Sequence, residues 1–353
     1  MKRFFTTFAA TTAMLISGLA TASGELFIYN WTEYTPPELI EKFEKETGIK
    51  VSVDTYDSNE TLLAKLQAGA TGYDIVVPSQ NFVPIMINEG LIQKVGVHDL
   101  PNFKNLEERW AFPEWDPKQE YSGPWQWGTT SFSYNSELYS GTGESLKEFF
   151  EPSDELNGRL SVFQTPDEVI SLANIYLGID FCSEDARQMK QIQDMLVAQK
   201  DAVVAYNSET MSDLLASGEA IMTNHWSGYS RLGRLTGAPI VYAYPKEGVV
   251  GWYDSMVVPT SAKNVENAKK FMNFMMDPVN MAMLTENQGY GDAVMGTAAY
   301  YSDELKSAPE INAPSDLKVF FAPTCSPKAQ SLIDKVWTKV MQRSEERRVG
   351  KEC

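Results

Sequence analysis

Aromatic rings and carboxylates recur where short apolar segments of this chain begin or end. Asn30-Trp31-Thr32-Glu33-Tyr34 follows Leu26-Phe27-Ile28-Tyr29 directly, and Ser79 follows Asp74-Ile75-Val76-Val77. Asp167 and Glu168 stand just after the apolar run 160–163. Trp226 follows 220–223, and Trp252 and Asp254 lead into 255–258. An aromatic face attracts a cation through the ring quadrupole and also covers methylene groups. A carboxylate accepts charge-assisted hydrogen bonds from an ammonium group. Together these types suit a small molecule with an apolar middle and a charged amine end. Any one of these tryptophans alone reads as core packing, and Asp254 alone as a solvated loop charge. Their joint placement at segment ends favours a shared site.

Motifs for other chemistry are missing. The chain has only two histidines, His98 and His225, far apart in sequence. No HExxH pair or dense metal-ligand cluster occurs, so no metal is expected. No GxSxG elbow, phosphate-binding loop or GxGxxG fingerprint occurs either, so neither a catalytic set nor a cofactor is expected. His225 beside Trp226 reads as a structural histidine at a strand end rather than as a base.

The elements that must position the aromatic and acidic residues alternate. Leu26-Phe27-Ile28-Tyr29 reads as a strand. Pro36 and Pro37 open a helix, where a missing N–H costs nothing, with Leu39, Ile40 and Phe43 as its apolar stripe and Gly48 as its stop. A strand at 51–56, a helix around Leu62, Leu63 and Leu66, a strand at 74–77 and a helix at 82–89 follow. This rhythm predicts parallel strands covered by helices on both faces. Further strands are predicted at 160–163, 203–206, 220–223, 240–244 and 255–258. Further helices are predicted at 167–177, 184–198, 210–216, 265–286 with a break at Pro278, and 331–341. A length of 353 residues fits two α/β lobes better than one very large sheet. A cleft between lobes is a usual ligand site.

With 30 Lys+Arg against 47 Asp+Glu, the formal charge is -17, which repels phosphate backbones and makes nucleic acid a poor partner. Lys2 and Arg3 precede a largely apolar run, 4–19, and then Ala20-Thr21-Ala22. That is a basic head, an apolar middle and an A-x-A site, so residues 1–22 read as a signal peptide cleaved after Ala22. The threonines in the run argue against a membrane anchor, and no cysteine follows it to carry a lipid. The mature protein is expected to be exported. Cys182, Cys325 and Cys353 are too few for a disulfide framework. Export permits a Cys182–Cys325 bridge, but unpaired or buried thiols are the favoured reading. Residues 343–353 (RSEERRVGKEC) are polar, lack helical periodicity and read as a frayed or non-native tail outside the fold.

At the aromatic and acidic positions a family resemblance becomes specific. LFIYNWTEY at 26–34, then PPELIEKFEKETGIKV, SNETLLAKL and YDIVVPS, closely resembles the periplasmic putrescine- and spermidine-binding proteins of polyamine ABC importers. The likeness continues through PDEV at 166–169, NHWSG at 224–228 and PKEGVVGWYDSMVVP at 245–259. Ala262-Lys263-Asn264, residues 271–278 and Gly289-Tyr290 follow in register. It covers nearly the whole chain between the signal peptide and Arg343. The resemblance implies a two-lobed type II periplasmic binding fold, each lobe a mainly parallel sheet flanked by helices, with crossing strands between the lobes and ligand enclosed on closure. The expected division is 23–129 with 253–299 for the first lobe, and 130–252 with 300–342 for the second. It further implies no reaction, delivery of a small cationic amine to permease subunits driven by an ATPase, and a monomer in the periplasm. Carried over by position, Trp31 and Tyr34 form part of an aromatic wall that Tyr290 completes. Ser79 sits at the first lobe's rim, Glu168 projects from the second lobe, Trp226 and Trp252 flank the ligand, and Asp254 is the principal ammonium acceptor.

The departures bear on specificity. Asn81 stands where spermidine binders tend to carry Tyr, and Thr165 where the family commonly has Asp. Tyr229 occupies an Asp position of putrescine-preferring relatives, and Cys325 falls where a Gln often lies. Loss of acceptors changes which amine fits, because a buried ammonium without a partner is costly. If only Asp254 reaches the ligand, a monoamine or a zwitterion such as aminobutyrate or a betaine becomes the alternative. A ligand-presenting partner of a chemoreceptor would use the same cleft, while an enzyme on this scaffold is disfavoured by the missing motifs. Tyr229 is also bulky and shortens one end of the pocket. Spermidine is therefore expected to bind no more tightly than a shorter diamine or monoamine, and Thr165→Asp to restore part of the diamine affinity. Competitive calorimetry on both proteins checks this, and a strong wild-type preference for spermidine would refute it.

Overall fold

The computed structural model describes residues 24–351; the expected signal peptide at 1–22 lies outside the described residues, as does the end of the expected tail, 352–353. In chain order the elements are β1 (Gly24–Trp31), α1 (Pro37–Thr47), β2 (Ile49–Tyr56), α2 (Asn59–Gln67), β3 (Ile75–Val76), α3 (Val83–Asn88), β4 (Gly123–Asn135), α4 (Lys147–Phe150), β5 (Leu160–Val162), α5 (Pro166–Leu177) and α6 (Ala186–Gln199). They continue as β6 (Val203–Tyr206), α7 (Met211–Ser217), β7 (Met222–Trp226), α8 (Ser227–Leu235), β8 (Ile240–Tyr242), β9 (Val249–Met256), α9 (Val265–Met275), α10 (Pro278–Gln288), α11 (Asp303–Ser307), β10 (Val319–Phe321) and α12 (Pro327–Lys351). The class is α/β, with helices flanking the sheets.

Local chemistry explains the first elements. Pro37 occupies the first turn of α1, Leu39 and Phe43 bury one face, and Gly48 ends the helix at φ 73 with its N–H on Glu44 O. The Ser58 hydroxyl accepts from Thr61 N at 3.2 Å to start α2. β1 then pairs in parallel with β2 on one side and β3 on the other, giving a three-stranded sheet in the order β2-β1-β3.

The second sheet departs from expectation. Its order is β10-β9-β4-β7-β5-β6, with β8 also on β4. β4 runs antiparallel to β7, β8 and β9, while β10–β9, β5–β6 and β5–β7 are parallel. This sheet is mixed rather than mainly parallel. The reason is β4 itself, 13 residues long and unread in the sequence. Its side chains are buried on both faces, so it lacks the polar–apolar alternation that marks a half-buried strand. β9 likewise begins six residues before the predicted 255, at Val249. α8 was missed because Gly228 and Gly233 lower its helix propensity.

Two large apolar cores result. One gathers Leu26, Phe43, Trp125, Met256, Phe271 and Leu284. The other gathers Phe132, Phe149, Phe163, Ile192, Val250 and Val340. β4 and β9 contribute to both, crossing from one core to the other where Gly128 pairs with Trp252.

Two terminal expectations are corrected. Cys182 and Cys325 form a disulfide, with Cα atoms 5.1 Å apart. Their partnership spans 143 residues, and no local signal reports on it. The neighbouring segments also meet through Ser326 Oγ donating to Glu184 at 2.6 Å and a Lys328–Glu184 ion pair at 3.0 Å. The last helix, predicted at 331–341, runs from Pro327 to Lys351. Helix-favouring Glu and Arg continue it where the apolar stripe has ended. Because the bridge closes so long a loop, Cys182→Ser with Cys325→Ser should lower the unfolding free energy by about 2–5 kcal/mol. Denaturant titration of both proteins measures this, and coincident curves would show that the bridge constrains nothing.

Candidate functional site

The expected site residues meet where the two cores approach each other. β9 continues past β3 through single backbone bridges, among them Ser79 to Asp254 and Val76 to Val257. The bridge sets Ser79 against Asp254, and the Ser79 hydroxyl donates to Asp254 Oδ1 at 2.7 Å. Asn59, the first residue of α2, holds that serine twice, its Oδ1 accepting from Ser79 N at 3.0 Å and its Nδ2 donating to Ser79 Oγ at 3.1 Å. Asp254 is 5 % exposed. Burial pushes its carboxyl up to about 7, and the nearby Glu168 charge adds to the rise against the Ser79 hydrogen bond. The buried Tyr34 hydroxyl neighbours Asp254 but has no hydrogen-bond partner of good geometry.

Rings surround this carboxyl. Tyr34 and Tyr290 meet edge to face at 5.8 Å, and Tyr290 and Trp252 at 4.9 Å. Trp31 lies tilted on Tyr56 at 4.8 Å and donates its Nε1–H to Val77 O at 2.9 Å. Gly128 lets Trp252 lie against the backbone, since a Cβ there would stand 2.4 Å from the indole. Gly228 does the same for Tyr290, where a Cβ would stand 2.6 Å from the ring.

Glu168 supplies the second carboxyl, from the first turn of α5. It accepts from the Thr130 hydroxyl and from Trp226 Nε1, at 2.9 and 3.0 Å to its two oxygens. Burial raises its carboxyl to about 7, against the lowering effect of those two donors. Its neighbour Asp167 is also held well above the ordinary carboxylate range, first by desolvation and then by Glu60. Trp226 packs on Phe163 at 4.5 Å and edge-on to Tyr229 at 5.7 Å. Trp226 and Tyr229 touch both cores. The Tyr229 hydroxyl reaches Glu33 Oε2 at 3.4 Å.

The structure thus brings together Trp31, Tyr34, Ser79, Glu168, Trp226, Tyr229, Trp252, Asp254 and Tyr290. Asn81 and Thr165 stand differently. Asn81 presents its carbonyl to the Thr324 hydroxyl at 2.6 Å, and Thr165 occupies the cap of α5 without a side-chain cap bond. Trp252 and Asp254 lie inside β9, not ahead of it, and Trp226 is the last residue of β7. Sequence reasoning missed Thr130, Asn59, Tyr56 and Glu33. Thr130 had no signal because β4 was unread, but Glu33 and Asn59 lay inside the quoted NWTEY and SNETLLAKL runs. His225 is structural, fully buried between Ser133 Oγ at 3.0 Å and Ser212 Oγ at 3.1 Å. Burial lowers it to about 3, so it stays neutral. Two buried carboxyls bordered by aromatic rings, oriented by the Ser79 and Thr130 hydroxyls and the Trp226 indole, can hold a cation.

Residues 38–313 match the family described as bacterial extracellular solute-binding protein. The spermidine/putrescine-binding periplasmic protein of Salmonella typhimurium is 36% identical over 288 residues, covering 81% of this chain and 82% of its own. The putrescine-binding periplasmic protein SpuD of Pseudomonas aeruginosa is 32% identical over 362 residues, covering 96% of this chain and 99% of its own. Among solved structures, the spermidine/putrescine ABC transporter substrate-binding protein PotD from Streptococcus pneumoniae superposes with a TM-score of 0.78 at 25% identity, over 90% of this chain and 99% of that one.

The raised carboxyls have a consequence for stability. Glu168 goes from an ordinary value of 4.5 to about 7 on folding, so its ionised form is the one the fold disfavours. The cost is absent at acid pH, where folded and unfolded chains are both protonated, and is complete once the pH exceeds the folded value. Glu168→Gln should therefore change stability little near pH 4 and increasingly stabilise the ligand-free protein up to about pH 7. Urea unfolding of both proteins across that range reads the difference, and a pH-independent gap would show that folding does not raise the Glu168 carboxyl.

Proposed function

This chain belongs to the bacterial extracellular solute-binding protein family, and from that premise we propose that it is the periplasmic solute-binding component of an ABC importer, capturing a putrescine- or spermidine-like amine and delivering it to the permease. One observation carries the ligand class: Asp254 and Glu168 are both buried, the Glu168 charge reaches Asp254, and the groups that hydrogen-bond them, Ser79, Thr130 and Trp226, are all neutral. A diammonium chain supplies the missing charge at both ends, and its methylenes lie against rings. Asp254 accepts from one ammonium and Ser79 orients that carboxyl. Glu168 takes the other end, with Thr130 and Trp226 fixing its direction. Trp31, Tyr34, Tyr229, Trp252 and Tyr290 cover the chain between, and Asn81 and Thr165 border it.

Capture proceeds by closure. Residues 23–129 with 253–299 act as one lobe, and 130–252 with 300–342 as the other. The division is supported by the two apolar cores and by the crossing of β4 and β9 at Gly128 and Trp252. Contacts that bridge the lobes, such as Tyr229 to Glu33 and Arg231 to the Glu286 carbonyl at 3.1 Å, then make and break with the ligand. Binding leaves the ligand chemically unchanged, and the protein works as a monomer.

Asp254→Ala should retain the fold and lose most amine affinity. Removing a buried charged partner costs about 2–5 kcal/mol, or roughly 30-fold to several thousand-fold in Kd. Titration calorimetry with putrescine measures it, and an unchanged Kd in a folded variant would reject Asp254 as the ammonium acceptor.

A further inference from the structure

Gln126 lies on β4, four residues before Thr130. Its side chain is 0 % exposed, and neither its Oε1 nor its Nε2 has a hydrogen-bond partner. A buried amide without partners costs its full desolvation, so such a group points to an unmet function.

Its direction follows from strand geometry. Gln126 is paired directly with Asp254 across the antiparallel β4–β9 ladder. Opposed residues in such a ladder project from the same face, as do residues two apart on one strand. Gly128, two residues on, faces Trp252, and Thr130, four residues on, donates to Glu168. Gln126, Thr130, Trp252 and Asp254 therefore share one face, the one on which both carboxyls stand. The Gln126 side chain therefore leaves β4 on the face that carries Asp254 and Trp252.

The donor count then restricts the ligand. A fully protonated polyamine offers N–H donors and no acceptor. It could satisfy the Gln126 Oε1, but it would leave the Gln126 Nε2 buried without a partner. Trp252 Nε1 is a second buried donor in the same condition on the same face. A ligand that carries an oxygen acceptor close to its ammonium removes this cost. A carboxylate is a poor source of that oxygen, because Glu168 and Asp254 already bring two acidic groups to the site and burial makes each costly to ionise.

We propose that Gln126 is a specificity-determining residue whose amide N–H donates to a neutral oxygen on the ligand, so that the preferred ligand is an amine bearing an acyl-amide or hydroxyl group and not a bare polyamine. This rests on the reading of the cleft as an amine site. The test is calorimetry of the full mature chain with putrescine, N-acetylputrescine, aminobutanol and aminobutyrate. Wild type should bind N-acetylputrescine or aminobutanol more tightly than putrescine, and whichever binds more tightly identifies the oxygen. Gln126→Leu should lower the preference for that ligand over putrescine about tenfold or more. Gln126→Glu keeps the shape but replaces the donor with an acceptor. It should weaken the same ligand and leave putrescine binding equal or tighter, a split that a folding defect would not produce.

Equal losses for both amines in the two variants would overturn the proposal, as would tighter binding of putrescine or of aminobutyrate by wild type. In these cases Asp254→Ala still abolishes amine binding, and the cleft remains an amine site. Failure of every amine to bind wild type would instead overturn both readings together.

Discussion

Two carboxyls held out of water at one site constrain the rest of this cleft. Asp254 and Glu168 each cost free energy when ionised, and the Glu168 charge adds to the cost at Asp254. The fold tolerates them because each has donors already in place. Ser79 serves Asp254, and Thr130 and Trp226 serve Glu168. These donors lower the penalty without abolishing it, since burial still dominates both groups. What remains is a site poised for positive charge, and the surrounding rings strengthen that preference while excluding water.

The scaffold that meets this constraint is the crossing of β4 and β9. The two strands pass from one core to the other side by side, so side chains on their shared face project toward the junction of the cores. Glycine is required where rings must touch backbone, at Gly128 against Trp252 and at Gly228 against Tyr290. Tyr229 is placed by α8, which is anchored from behind. Arg231, 3 % exposed, bonds Glu304 and the Glu286 carbonyl, and Arg234 pairs with Glu310 at 2.7 Å and Glu304 at 2.9 Å. Such a network adds little net stability once desolvation is counted, but it fixes the register of the helix that carries the ring.

Much of the fold and of this site was legible in the chain itself. α1 was marked by Pro37 and Gly48, α10 by Pro278, and the opening β-α-β run by its apolar spacing. The residue types of the cleft were legible too, because Trp31, Tyr34, Ser79, Glu168 and Trp226 stand at or near the ends of strands and helices, while Trp252 and Asp254, which lie inside β9, were marked by the GWYDS run. The order of the motifs was enough to point to the family.

Other features were decided only by the tertiary structure. β4 carries no periodic signal because both of its faces are buried, and with it Thr130 and Gln126 stayed hidden. The Cys182–Cys325 bridge and the contact of Tyr229 with Glu33 join residues more than a hundred positions apart. Local sequence patterns report on the period of a helix or a strand and on its ends. They carry no information about which distant strand lies alongside, and it is that pairing which set Gln126 opposite Asp254 and gathered the two carboxyls into one cleft.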